Sequence, residues 1–440
     1  YNDAENGIVS FLNLRYMNDE KQAGQVAFNP DTDKLTTNAW GSEINTEKFE
    51  ISNKTGYVFP DMPYQSIGFQ NSFQSHNQES YFGLNQYDID QKSLYSNLLF
   101  SSIITNTKNK FTTGINFTYD KYKEFVAVNF AQDFSRIDNS VGAFFEYDYD
   151  NLDNFQVVAG IRVDNHNRLG TFVTPRLHIR YNPWKDAVLR TSIGRGKRAA
   201  NIFAENQQLF ASSRSFSILN TEGTLYGLNP EIAWNYGLSF IQNFKLFGRD
   251  SGIVLDYYRT DFQNQAVVDV DFSPQQVVFY NLKGNSVANS FQAEFNIELK
   301  KHLNFKTAYK YYDVNTDYIV GNLQKALQAK NRFFANLAYE THILDKGQQW
   351  KFDATYNWLG KQRLPNTSSN LPQYRLDEFG EAFGVVNAQI TRTFSSTFEL
   401  YVGGENIGNY KQNNAIVGAN DPFGAYFDSS MIYGPVFGQM

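Results

Sequence analysis

Five histidines are the first residues to test for metal or acid–base chemistry: His76, His166, His178, His302 and His342. No two of them have the His-x-x-x-His spacing that puts paired imidazoles on one ion. Cysteine is absent, which removes thiolate ligands and disulfides together. His178 alternates with Arg180 in a strand-like run, so it reads as a satisfied polar-face residue. Gly194-Arg195-Gly196-Lys197-Arg198 looks at first like a phosphate loop, but it lacks the Gly-Lys-Ser/Thr spacing and a following helix. Asp261, Asp269 and Asp271 could suggest calcium; they flank a strand-like run, and an ordinary solvated face is the favoured expectation. Asn53-Lys54-Thr55 fits the glycosylation triplet and carries no weight by itself. No catalytic constellation is found, so the chain is expected to be no enzyme and to use no cofactor or metal.

Binding chemistry is better represented. Arg195, Lys197 and Arg198 stand beside Asn201, Glu205 and Asn206. In a narrow, low-dielectric mouth such a cluster would focus field on an anionic ligand; the structural alternative is that it bridges neighbouring loops. Phe262 and Gln265 form a second candidate group, Tyr280 and Asn281 a third. All eight are expected on loops.

The elements that must position these residues are strands. Residues 155–164 alternate Phe155, Val157, Ala159, Ile161 and Val163 with Gln156, Gly160, Arg162 and Asp164, a period of two. A looser connection follows, then 177–181, then the tight turn Asn182-Pro183-Trp184-Lys185-Asp186, then 187–193. The rest of the chain repeats this scheme, with about 17 alternating segments predicted from 9–16 to 398–405. The clearest is 291–299, FQAEFNIEL. Helical periodicity is nearly absent. Short turns (60–64, 106–109, 150–154, 182–186, 300–303, 394–397) alternate with long segments (18–48, 76–94, 120–140, 195–232, 259–289, 314–332, 360–383, 407–440). That alternation predicts an up-and-down transmembrane barrel with short turns at one rim and long loops at the other. A soluble propeller would show a motif recurring every 40–45 residues or so, and none is present.

Composition agrees. Aromatics make up 16% of the 440 residues, with 28 Tyr and 39 Phe. Mean hydropathy is nevertheless −0.48, as expected where lipid-facing and water-facing side chains alternate. No stretch approaches the ~18 apolar residues of a membrane helix. Tyrosines cluster at strand ends (Tyr147 and Tyr149; Tyr257 and Tyr258; Tyr309, Tyr311 and Tyr312), where the headgroup zone favours amphipathic rings. The 39 basic and 45 acidic residues are interspersed, for a net charge of −6, and no basic face points to nucleic acid.

Several segments recur in an order that carries a resemblance: GAFFEYDYDN (142–151), AGIRVDNHN (159–167), TPRLHIRYNP (174–183), GRGKRAANIFAEN (194–206), YGLNPEIAWNYGLSF (226–240), DYYRTDFQNQAVVDVD (256–271), FYNLKGNS (279–286), YVGGENIGNY (401–410) and DPFGAYFDSSMIYGPVFGQ (421–439). From Ser93 onward the chain resembles the barrel of a TonB-dependent receptor of the Bacteroidetes type. The resemblance implies a barrel of 22 strands in the Gram-negative outer membrane. Residues 1–440 would then be a partial barrel, with about four strands before Tyr1, the final strand after Met440, the plug domain and the TonB-contacting segment all outside this chain. It further implies active uptake of a scarce nutrient such as a ferric siderophore or similar chelate, cobalamin, an oligosaccharide or a peptide. Implied partners are outer-membrane lipid and lipopolysaccharide, TonB with its inner-membrane motor, the plug domain, and a surface lipoprotein. A docking or structural subunit and a passive porin stay open as alternatives.

Overall fold

Alternation of apolar and polar residues becomes, in the computed structural model, one continuous antiparallel meander. The structure describes every residue except Tyr1, Ala4, Asn220, Thr221, Asp345, Lys346 and Met440. Its long strands are β1 (Ile8–Gly24), β2 (Gly41–Val58), β3 (Ser66–Phe82), β4 (Asn85–Ile104), β5 (Asn106–Ala127), β6 (Arg136–Asp150), β7 (Phe155–His166), β8 (Gly170–Tyr181) and β9 (Ala187–Arg198). They continue as β10 (Glu231–Leu246), β11 (Arg249–Asn264), β12 (Ser286–Lys300), β13 (Leu303–Tyr318), β14 (Asn331–Glu340), β15 (Gln349–Leu359), β16 (Phe383–Ser395) and β17 (Phe398–Gly404). Each pairs antiparallel with the strand before and after it. Three short strands, Asn2–Asp3, Ala131–Asp133 and Gly321–Gln324, bring the sheet to 20. Among the described residues β1 and β17 are not paired with each other.

Two faces follow from the register. On β7 and β8, Val163↔Val173, Ile161↔Pro175 and Ala159↔Leu177 pair on one side, Arg162↔Thr174 and Gly160↔Arg176 on the other. The apolar side is exposed, with Ile161 at 50% and Val141 of β6 at 59%, as befits a wall whose solvent is lipid. The polar side is laced together. Arg162 donates to Asp164 and to Asn116 Oδ1 at 2.7 Å, and Arg176 pairs with Glu146. A Cβ on Gly142 would lie 2.1 Å from Asp164 Oδ1, so glycine there makes room for this inner network. His178 shares the inner face, opposite Ser192. Tyr257 and Tyr309 donate their hydroxyls to Asn289 and Asn331 at 2.9 and 2.6 Å, each ring keeping one polar edge satisfied.

The turns fall where predicted at 59–65, 151–154, 182–186, 301–302 and 396–397, whereas the turn expected at 106–109 is strand, β4 and β5 being joined at Thr105. At the other rim the predicted loops need correction. Much of 18–48, 76–94 and 120–140 is strand: β1 and β2 pair up to Gly24↔Gly41, and β3 and β4 up to Phe82↔Asn85. The β3–β4 connection is only Gly83-Leu84, with Gly83 at a φ of 62°, a value glycine adopts without the steric cost of a side chain. These strand ends stand above the apolar band, so neither face must be hydrophobic there and the alternation fades.

The remaining connections fold into a cap. A 3-10 segment (Ala204–Phe210) and a strand (Ser215–Ile218) from the β9–β10 connection meet a hairpin (Ala266–Ser273 and Gln276–Asn281) from the β11–β12 connection. Ser215–Ile218 pairs parallel with Gln276–Asn281, making a separate three-stranded sheet. Its core packs Phe203, Phe210, Phe216 and Phe279 against Tyr87, Ile89 and Val126 on the inner face of β4 and β5. Phe203 and Phe216 stack with centroids 6.2 Å apart.

Candidate functional site

Three buried arginine–carboxylate pairs hold the cap in place. Arg136, 8% exposed, donates Nη1 to Glu124 at 2.5 Å and Nη2 to Asn201 Oδ1 at 2.5 Å. Glu124 also accepts the hydroxyls of Tyr87 (3.0 Å) and Tyr226 (2.5 Å). The Arg136 guanidinium lies 4.0 Å from the Tyr122 ring centroid and 5.1 Å from that of Tyr226. Burial, and then the Glu124 charge, raises both the Tyr87 and the Tyr226 phenols above their ordinary range. The second pair, Arg214–Asp428 at 2.7 Å, ties the β9–β10 connection to the segment that follows β17. In the third, Arg363 grips Asp271 through two 2.7 Å bonds and donates Nε to Gln324 O. Isolated charges could not be buried this way; each is matched and hydrogen-bonded.

Asp269 and Asp271 therefore correct one expectation. They are not a solvated face: their exposures are 0% and 5%. Asp269 accepts the amides of Asp271 and Phe272 and the Tyr280 hydroxyl. Among the described residues no group of three or more His, Asp or Glu side chains is arranged to hold a metal ion.

Beneath the cap lies a cavity of about 380 Å³, within the size range of small-ligand sites. Phe262, Gln265, Leu209, Val267, Tyr312 and Tyr318 line it, with Arg198, Lys325, Glu205 and Glu231 as its charged groups. Arg198 is already engaged: Nε donates to Glu231 at 2.7 Å, and Nη1 and Nη2 donate to the two oxygens of Glu205 at 2.9 Å. Those Glu205 bonds, with the Glu231 charge, raise its pKa and keep it cationic. Two cations and two carboxylates leave the lining balanced. Gln265 Oε1 is buried there without a hydrogen-bond partner, an acceptor open to a donor group.

The eight residues singled out by sequence are thus distributed as follows. Arg198, Phe262 and Gln265 come together at the cavity. Arg195 and Lys197, expected on a loop, lie on strand β9. Arg195 donates to Gln263 Oε1 and Val173 O; Lys197 donates to Leu169 O at 2.8 Å. Burial beside Arg195 lowers the Lys197 pKa. Asn201 fastens the cap through Arg136. Tyr280 is 3% exposed inside the cap, and Asn281 exchanges two bonds with the Asn229 backbone. Sequence reasoning missed Tyr312, Tyr318, Leu209 and Lys325. Of these, Leu209 carried a signal: it belongs to a connection rich in large apolar residues, which a solvated loop would not carry.

A family model described as TonB dependent receptor-like, beta-barrel matches residues 2–407. Comparison with curated protein sequences gives no match. Among solved structures, the siderophore receptor PiuA from Acinetobacter baumannii superposes with a TM-score of 0.66 at 12% identity, over 98% of this chain and 71% of that one. The ferripyoverdine receptor of the Pseudomonas aeruginosa outer membrane, bound to ferripyoverdine, gives 0.69 at 12%, over 99% and 62%. The ferric-catecholate import receptor Fiu from K12 E. coli gives 0.64 at 11%, over 96% and 70%. At such identities the likeness is one of fold. The chain spans about two thirds of the length of these structures.

Proposed function

The chain belongs to the TonB-dependent receptor-like β-barrel family, and from that premise we propose that it is the wall and mouth of a receptor for active uptake of a ferric chelate. It is a protein of the Gram-negative outer membrane, and its family consists of transporters. In this reading the cap and the cavity beneath it capture the ligand from outside. A plug domain carried elsewhere in the protein fills the lumen, and TonB, driven by the inner-membrane motor, displaces it. The inner wall suits such a tenant because its charges are already paired with one another, as in Arg162–Asp164 and Arg176–Glu146.

The observation that carries the reading is the capped cavity joining Arg198, Phe262 and Gln265 on a barrel of this family. Phe262 supplies apolar surface, Gln265 Oε1 a free acceptor, and Arg198 a cation held by two carboxylates. A chelate with hydroxyl or amide donors matches that set. The named ligands of the structural neighbours, siderophores and ferric catecholates, favour iron chelates as the cargo class.

The test is uptake of radiolabelled ferric chelates by iron-starved cells expressing the complete gene, with and without collapse of the proton gradient. Uptake that stops with the gradient is expected. Uptake indifferent to the gradient would replace active transport with a passive pore.

A further inference from the structure

A hydroxyl on the lipid face of a barrel has to find an acceptor close at hand. Thr113 and Thr307 do so by donating to the carbonyls of Phe144 and Phe334 on the neighbouring strand, at 2.8 and 2.9 Å. One row across the wall departs from this economy. Leu12, Asn53, Asn71, Ser96 and Phe117 are successive cross-strand neighbours from β1 to β5. On β4, Ser96 has the parity of the exposed Leu94 and Leu98 and the opposite parity to Tyr87 and Ile89, which lie under the cap. The row therefore faces lipid. Leu12 and Phe117 close it at its two ends. Along β3, Asn71 stands between Phe69 and Phe73, both exposed. Apolar side chains thus border the amides on every side, which sets them within the apolar band and not at its edge.

Hydrogen bonds inside the group leave it unfinished. Asn53 accepts from the Thr55 hydroxyl at 3.0 Å and donates Nδ2 to Phe11 O at 3.3 Å. Asn71 Oδ1 accepts from Ser96 Oγ at 2.8 Å, but among the described residues no acceptor reaches Asn71 Nδ2. An amide N–H turned to hydrocarbon has no water to fall back on, and only another polar group arriving at the same depth relieves it. We propose that this row is the contact between two copies of the protein, packed wall to wall about a two-fold axis that runs along the membrane normal past Asn71. A carboxamide is donor and acceptor at once, so Asn71 Nδ2 donates to Oδ1 of the same residue in the second copy and the second copy returns the bond. The two-fold brings an identical amide to an identical depth; an unrelated protein would need its own polar group at that level. Phe69, Phe73, Leu94 and Leu98 supply the packing around the amides, and polar pairs of this kind join protein surfaces where lipid has removed the hydrophobic drive. The assignment rests on the outer-membrane setting and on register, and stands apart from the ligand cavity on the inner side of the wall.

Two measurements on the full-length protein test it. Light scattering in a mild detergent should give the mass of two copies, with the dissociation constant rising at least tenfold in the Asn53→Leu/Asn71→Leu double variant. Leucine suits a lipid-facing position, so that barrel should still fold, and its heat-modifiable migration on gels checks that it does. Thr307→Leu, which removes a hydroxyl already bonded within the wall, should leave the dimer unchanged. In intact cells, the photo-cross-linker p-benzoylphenylalanine placed at Leu98, beside the amides, should join two copies on illumination. The same probe at Leu255, exposed on the lipid face of β11, should not. A single copy in both assays, or a dimer untouched by the double variant, overturns the assignment. Cross-linking at Leu98 to a different protein overturns the second copy as the occupant, and equal yields at Leu98 and Leu255 overturn a specific contact.

Discussion

Replacing Glu124 with alanine should release the cap while leaving the barrel standing. The carboxylate is 1% exposed and accepts from Arg136, Tyr87 and Tyr226. Its loss strands a buried guanidinium, whose remaining carboxylate partner in the cluster is Asp138 at 3.3 Å. Breaking one side of a buried pair costs about 3–5 kcal/mol, with part of that arising from the two phenols left without an acceptor. Because Arg136 also holds Asn201 and stacks on Tyr226, the penalty falls on the β9–β10 connection rather than on the sheet. At ~1.4 kcal/mol per tenfold, the cap should open at least a hundredfold more often. Hydrogen exchange reports this directly through amides such as Glu205 N–H, bonded to Asn201 O at 2.9 Å, and Phe216 N–H, bonded to Asn129 Oδ1 at 2.7 Å. Glu124→Gln, which keeps an acceptor but not the charge, should fall between. A change of less than tenfold at these amides, or an equal loss across β12 and β13, would refute the reasoning.

Phe295→Arg on the lipid face should cost roughly 2–4 kcal/mol of barrel stability. The adjacent Asn296→Arg should cost much less, because Asn296 shares the inner face with Gly252 and Asn243; equal losses in a folded-fraction assay would undo the two-face assignment. Alkaline pH should loosen the cap. The Tyr87 and Tyr226 phenols are raised above the ordinary 10.0, so the stability they contribute is complete below pH 10 and is lost as pH climbs through their folded values. Phenolate absorbance should rise together with protease cleavage of the β9–β10 connection, and cleavage before titration would contradict the linkage. Arg214→Met should expose the segment after β17 to protease, since it leaves the buried Asp428 without its cation; unchanged protection would show that ring contacts such as Trp40–Phe427 suffice.

The membrane-spanning part of this architecture is legible in the sequence because lipid on one side and a polar lumen on the other impose a strict period of two. Phe291–Leu299 shows it without exception and Phe155–Asp164 with only Val158 out of step, and all 17 alternating segments coincide with long strands. Above the membrane that constraint ends. His76–Phe82 and Asn85–Leu94 are strands whose outward face meets water, so their mixed composition imitates a loop. The site was half legible for a related reason. Arg198 and Phe262 stand out by residue type in segments expected as loops, whereas Tyr312 reaches them across the β11–β12–β13 ladder and Lys325 because Gly321–Gln324 folds back on β13. The cap itself escaped notice because its rings, Phe203, Phe210, Phe216 and Phe279, are spaced by the packing of one connection on another and not by any period along the chain.

The nearest-neighbour pairing of the meander has a kinetic consequence. Each strand finds its partners immediately before and after it, so most ladders close a short loop, the β9–β10, β11–β12 and β15–β16 pairs being the long exceptions, and the sheet can zip up largely hairpin by hairpin. The cap obeys the opposite rule. Arg214 and Asp428 are 214 residues apart, and Tyr226 and Glu124 are 102. These long closures become affordable once the wall has fixed both ends in space. The mouth is therefore assembled last, and a folding intermediate with a finished wall and an unguarded entrance is the expected penultimate species.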